Sequence, residues 1–123
     1  MNEKERLYKI RIIREPITLG ELRKIAEERF GDMVKAVVDI EREIMAVGGD
    51  LHSDEEALLI ENGSKQENLW GINIWLDRPT EEMIEFDSII NIRPRHGNRS
   101  RFIEDENIRN KITEIVKKLI KNV

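Results

Sequence analysis

Apolar and polar residues alternate in the first patterned stretch of the chain. From Leu7 to Arg14, Tyr8, Ile10 and Ile12 alternate with Lys9, Arg11 and Ile13, which predicts a strand that Pro16 closes. Thr18-Leu19-Gly20-Glu21 then matches a capping box, in which the Thr18 hydroxyl accepts from the Glu21 amide. Leu22, Ile25, Ala26 and Phe30 follow at helical spacing, and Gly31-Asp32 interrupts them. Met33, Val37, Ile40, Ile44 and Val47 continue the three-four period to Gly48-Gly49, a C-cap signal. Residues 18–48 are therefore expected as one bent helix or two in succession.

The pattern then shortens. Ala57-Leu58-Leu59-Ile60 reads as a strand leading to Asn62-Gly63, a hairpin-type turn, with the return strand at Leu69 to Leu76. Pro79 marks another reversal, and Met83 to Ile92 supplies a further strand. Asp105 is placed to cap a final helix whose buried stripe is Ile108, Ile112, Ile115, Val116 and Leu119. Period-two alternation puts Trp70, Ile72, Ile74 and Leu76 on one side of their strand, with Gly71, Asn73 and Trp75 on the other. The expected fold is α+β: a two-layer sandwich with a mainly antiparallel four-stranded sheet and helices packed on one apolar face. The other face is polar and mixed in charge, and offers the room for function. Residues 1–123 are expected to form a single domain, with neither repeats nor a dividing linker.

Composition narrows the chemistry. The 39% hydrophobic content supports a core, and 37% charged residues exceed the usual quarter. Cysteine is absent, which removes disulfides, thiolate nucleophiles and Cys-ligated zinc. No apolar run is long enough to span a bilayer and the charged start is unlike a signal peptide, so a cytoplasmic protein without membrane attachment is expected. The net charge of −4 argues against coating nucleic acid at many dispersed phosphates.

One stretch departs from that acidic average. Arg93, Arg95, Arg99 and Arg101 fall within nine residues that contain no acid. Pro94 and Gly97 bend this loop, so its guanidiniums are placed to converge on a phosphate or carboxylate, with His96 and Asn98 beside them. The opposing expectation is that they pair internally with Glu85, Asp87, Glu104 or Glu106 and pin the last strand to the last helix. A third use is a surface for a protein partner. Trp75 and Asn73 share the polar sheet face, where an aromatic stacks on a base and an amide reads its edge. Trp70 falls in the apolar register and belongs to the core.

Several segments are similar to an uncharacterised prokaryotic family, DUF5674. They are Gly48-Gly49-Asp50-Leu51-His52-Ser53-Asp54, the stretch from Glu61 to Asn73, Phe86-Asp87-Ser88-Ile89-Ile90-Asn91-Ile92-Arg93-Pro94, and Gly97-Asn98-Arg99-Ser100-Arg101. The resemblance spans nearly the whole chain, from Ile13 to Ile120. It implies a compact single-domain protein and no particular mechanism.

Two histidines complete the inventory. If the hairpins bring His52 and His96 near Asp87 and Glu61, the set resembles a metal-free ribonuclease site, with bases for a 2′-hydroxyl and arginines for the phosphate. The commoner role for a histidine on a turn is solvated or structural. Asp50, His52, Asp54, Glu55 and Glu56 fail the calcium-loop pattern, and there is no His-Glu-x-x-His, so no metal site is expected. Glu61-Asn62-Gly63-Ser64-Lys65 lacks the glycine and Gly-Lys order of a phosphate loop, and no cofactor is expected. The expected function is anion recognition by the arginine loop, with RNA or a nucleotide as ligand. The alternatives are a metal-independent ribonuclease-like enzyme, and a homodimeric interaction module whose arginines are structural.

Overall fold

The computed structural model describes residues 9–121. Five strands form an antiparallel sheet in the order β1-β4-β3-β5-β6: β1 (Arg11–Ile13), β3 (Met33–Asp39), β4 (Ile44–Val47), β5 (Leu69–Trp75) and β6 (Ile84–Glu85). A separate parallel pair joins β2 (Ile17–Thr18) to β7 (Ile120–Lys121). Three helices accompany them: α1 (Leu19–Glu27), α2 (His52–Glu61) and α3 (Glu106–Leu119). The α+β class is as expected, with one strand more in the main sheet.

The helix ends follow from their caps. Glu21 donates its amide to the Thr18 hydroxyl at 3.0 Å, and the Asn107 amide donates to Asp105 at 2.8 Å. Ile112, Ile115, Val116 and Leu119 of α3 are buried, as their spacing predicts. The strand expected over Leu7 to Arg14 is shorter, and Leu7 and Tyr8 lie outside the described residues.

Residues 33–47 correct the helical expectation. They form the β3–β4 hairpin, because Val34, Val37, Val38, Ile44 and Val47 are β-branched and suit a pleated surface. Both faces of this hairpin are covered, so the sequence lacks the alternation that marks a half-exposed strand. Its turn is built locally: Asp39 accepts from the amides of Glu41 and Arg42, each at 3.0 Å, and Glu43 adopts a positive φ of 57°. Conversely, Ala57–Ile60 lies within α2 rather than a strand. Asn62-Gly63 closes that helix instead of a hairpin, with Gly63 at φ 101° and the Ser64 amide returning to Leu59 O.

The two faces of the sheet carry different cargo. On the first, Ala36, Val38, Met45, Val47, Trp70, Ile72 and Ile74 pack under Leu22 and Ala26 of α1 and Ile112, Ile115 and Leu119 of α3. On the second, Val37, Ala46 and Leu69 meet Leu59 of α2. The helices are thus shared between two faces, not gathered on one as expected, because Ala57–Ile60 belongs to a helix that covers the second face.

The strand expected over Met83–Ile92 stops at Glu85. β6 pairs Glu85 with Asn73 and Ile84 with Ile74, and the next residue of β5 on that edge is Gly71. There the Asn91 side chain replaces a strand: its Oδ1 accepts the Gly71 amide at 2.8 Å and its Nδ2 donates to Gly71 O at 2.9 Å and Arg101 O at 3.0 Å. Gly71 is required at this place, since a Cβ would lie 2.6 Å from Ser88 Cβ. Asn98 holds the rest of the segment, donating to the carbonyls of Asn91, Ser100 and Phe102 and accepting the Glu104 amide. Asn91→Ala is expected to lower unfolding stability by about 3 kcal/mol in a urea melt, because it strands the buried amide and carbonyl of Gly71, while Arg101 O keeps the Ser88 amide. A loss below about 1 kcal/mol would show that another contact holds this edge.

Candidate functional site

The arginine loop does not present four free guanidiniums. Arg93 is nearly buried and fully engaged: Nε donates to Ile90 O at 3.1 Å, Nη1 to Gln66 O at 2.9 Å, and Nη2 to Leu69 O and Glu56. Its guanidinium also sits 4.9 Å from the centre of the Trp70 ring. Burial pushes the Glu56 carboxyl up, and the Arg93 charge pulls it back. Arg101 forms a two-pronged ion pair with Asp87, at 2.9 and 3.1 Å. Arg95 and Arg99 are exposed and make no salt bridge among the described residues, although the Arg99 amide donates to Glu104 at 2.7 Å. Asn98 is 3% exposed and serves only the loop's backbone. Internal pairing therefore accounts for half of the loop's charge.

Other expected residues do come together, on the second face of the sheet. Lys35, Asn73 and Glu85 form a row across β3, β5 and β6. Asn73 donates to Glu85 at 2.8 Å and to Asp87 O at 3.2 Å, and Trp75 Nε1 donates to the same Glu85 oxygen at 3.2 Å. The Trp75 ring is half-buried under the Arg78 guanidinium, 4.3 Å from its centre, so it is not an open stacking platform.

Beside this row lies a cleft of about 310 Å³, lined by Lys35, Leu51, His52, Ser53, Ser88, Ile89, Ile90 and Arg101. Two cations line it and no carboxylate does. Lys35 has no salt bridge among the described residues, while Arg101 keeps its Asp87 partner outside the lining. The N-terminus of α2 opens here: Leu51 precedes the helix without a side-chain cap, so the His52 and Ser53 amides have no acceptor within the helix. Such an end favours negative charge.

His52 is 8% exposed and donates Nε2–H to Ile72 O at 2.7 Å, which places a proton on Nε2. Burial pushes its pKa down to about 4; the Ile72 carbonyl and Asp87 oppose this, and Lys35 and Arg101 add to it. Glu55, one turn on, is fully buried and accepts the Gly49 amide at 3.0 Å, with its other oxygen unpartnered. Burial pushes this carboxyl well above its usual range, against the Gly49 amide and Lys35.

A second cleft, about 270 Å³, lies across Ile89–Ile90 and is lined by Glu56, Gln66, Glu67, Ile92, Arg93 and His96. The two histidines therefore face different clefts. Glu61 ends α2, nine residues from His52 and roughly 13 Å away along the helix axis. His52, His96, Asp87 and Glu61 form no common site. The acidic run is likewise divided: Asp50 pairs with Arg29, Glu55 holds Gly49, and Glu56 holds Arg93.

Sequence reasoning missed Lys35, Ser53 and Ser88. The signal for Lys35 was a lone cation inside a Val/Ala-rich run, legible only once residues 33–39 are a strand.

A family model described as a protein of unknown function, DUF5674, matches residues 11–119. The chain belongs to this family. No curated protein and no solved structure matches the chain. Among the described residues no helix is long and apolar enough to cross a membrane. Family membership thus extends over both clefts and the arginine loop, and function must be argued from their geometry.

Opposite pH trends are expected from the two buried groups. His52 is neutral when folded but protonates below about pH 6.5 when unfolded, so stability falls between there and pH 4, by roughly 3 kcal/mol in all. Glu55 keeps its proton when folded but loses it above about pH 4.5 when unfolded, so its contribution falls as pH rises. In urea melts across pH, His52→Gln is expected to flatten the acid limb and Glu55→Gln the alkaline limb. Parallel curves for both variants and the wild type would contradict this.

Proposed function

We propose that the protein binds a phosphate-bearing ligand, RNA or a nucleotide, in the cleft between the start of α2 and the Ser88–Arg101 segment. The observation that carries this is a concave lining with two cations and no carboxylate at an uncapped helix N-terminus. An anion there would meet the Lys35 ammonium, the Arg101 guanidinium, the Ser53 hydroxyl and the first amides of α2. Donors from several directions suit a tetrahedral oxyanion better than a planar carboxylate. His52, committed to Ile72 O through Nε2–H, holds the start of α2 in place beside the cleft. Exposed Arg95 and Arg99 would add long-range attraction more than direct contact.

Calorimetric titration with inorganic pyrophosphate tests the assignment. Lys35→Ala is expected to weaken binding about tenfold or more, the size of one charge-assisted hydrogen bond. Arg95→Ala with Arg99→Ala is expected to change affinity less than threefold, roughly a screened surface effect, and to lose its influence as salt is raised. The reverse ranking would return the site to the arginine loop.

Exposed apolar side chains would also suit a homodimer contact. Ile89, Ile92 and Phe102 are 67%, 44% and 49% exposed on the segment that follows β6. Sedimentation of the wild type and Ile89→Glu separates the two uses: a dimer that the substitution dissolves supports the contact, and a monomer throughout removes it.

A further inference from the structure

Three residues of α2 are buried, His52, Glu55 and Leu59, and two of them titrate. Leu59 is the apolar anchor, packed with Val37, Ala46 and Leu69. The other two hold the helix by hydrogen bonds: His52 Nε2–H donates to Ile72 O, and Glu55 Oε2 accepts the Gly49 amide at 3.0 Å. The larger core lies on the opposite face under α1 and α3 and contains none of these groups. Helix α2 can therefore leave the sheet without dismantling that core. Its ends suit such a movement, because Gly48 at φ 94° precedes it and Gly63 at φ 101° follows it.

Glu55 is the weak point of this attachment. It has no exposed surface, Oε1 has no partner, and no salt bridge engages it among the described residues. A carboxylate in such a place must either take up a proton or reach water. Helix α2 packs on β3, β4 and Ile89–Asn91; β4 and Ile89–Asn91 carry no charge, and β3 contributes Lys35, with Asp39 at its far end. In the loop before α2, Asp50 is taken by Arg29. Burial keeps the proton on Glu55; the Gly49 amide and Lys35 work against this, and Asp54 of α2 adds to it. Burial also keeps His52 neutral, with the Ile72 carbonyl and Asp87 opposed and Lys35 and Arg101 in support.

We infer that α2 is a pH-gated flap, closed while Glu55 and His52 are both neutral and released from the second face when Glu55 ionises. Release uncovers Val37, Ala46 and Leu69 and takes Leu51, His52 and Ser53 away from the cleft they line. The gate would act whether or not that cleft receives an anion. Opening brings both groups to water, where Glu55 gives up its proton above about pH 4.5 and His52 takes one up below about pH 6.5. Between these values the two exchanges cancel. Above about pH 6.5 only Glu55 counts, so the opening constant rises about tenfold per pH unit until the buried carboxyl itself ionises.

Backbone hydrogen exchange on the full chain, followed from about pH 5 to pH 8 and divided by the intrinsic rates, reads this constant residue by residue. Amides of α2 are expected to be at least about tenfold less protected than those of β3, β5 and α3, and to lose about tenfold protection per unit above about pH 6.5. In Glu55→Gln that slope should vanish. Equal protection in α2 and in β3, β5 and α3 would show that the helix leaves only when the whole chain unfolds, and would overturn the flap. An unchanged slope in Glu55→Gln would overturn Glu55 as its trigger. If that variant fails to fold, the wild type still decides, because α2 protection that stays flat above about pH 6.5 contradicts the gate by itself.

Discussion

The amide of Asn91 against Gly71 is the interaction on which the second face of the sheet depends. β6 is only two residues long, and the edge of β5 beyond it would otherwise expose a backbone amide and carbonyl inside the fold. A side-chain amide supplies one donor and one acceptor at the right separation, so a single residue does the work of a strand partner. The close approach is open only to glycine, because Ser88 occupies the place of a Cβ. The same Asn91 takes the Arg101 carbonyl, and the Ser88 amide takes it too. Ser88 and Arg101 therefore arrive at the α2 cleft as a consequence of one buried amide.

With that edge fixed, the sheet's register distributes the remaining groups. The first face is closed by α1 and α3 over a continuous apolar cluster, and supplies most of the buried surface. The second face is only partly covered by α2, which packs Leu59 on Val37 and Ala46 and leaves the Lys35–Asn73–Glu85 row beside the helix start. His52 ties the first turn of α2 to the middle of β5 through Ile72 O. Glu55 ties the loop before α2 to the helix through the Gly49 amide, and a Cβ at Gly49 would fall 2.9 Å from its Cγ. The uncapped end of α2 is thereby held rigidly although no side chain caps it.

Elements with one clear face were legible in the sequence: α1 with its capping box, α3 with its Asp105 cap, and the two-sided register of β5. β3 and β4 were not. In β4 the second face is as apolar as the first, and in β3 Val37 stands on the second face between Lys35 and Asp39, so the period of two is broken and a three-four match fills its place. The short apolar run of α2 has the same ambiguity with opposite outcome. The candidate site was legible in part. His52, Asn73, Asp87 and Arg101 were named and lie around one cleft, yet Lys35 was hidden by the misread hairpin. That Arg93 is engaged by Glu56 and by the carbonyls of Gln66 and Leu69 follows from contacts between residues 24 to 37 positions apart, which no local pattern encodes. The departure from a run of four free arginines has the same origin, since Asp87 faces Arg101 only after the chain has folded back on β5.

The central claim is that the start of α2 and Lys35, not the tip of the arginine loop, receive the anion. Titrating isotope-labelled protein with inorganic phosphate and following backbone amide resonances tests this most directly. Saturable shifts centred on His52, Ser53 and Lys35, with little movement at Arg95 and Arg99, are predicted. Shifts centred on Arg95 and Arg99, or a uniform drift that never saturates, would contradict it.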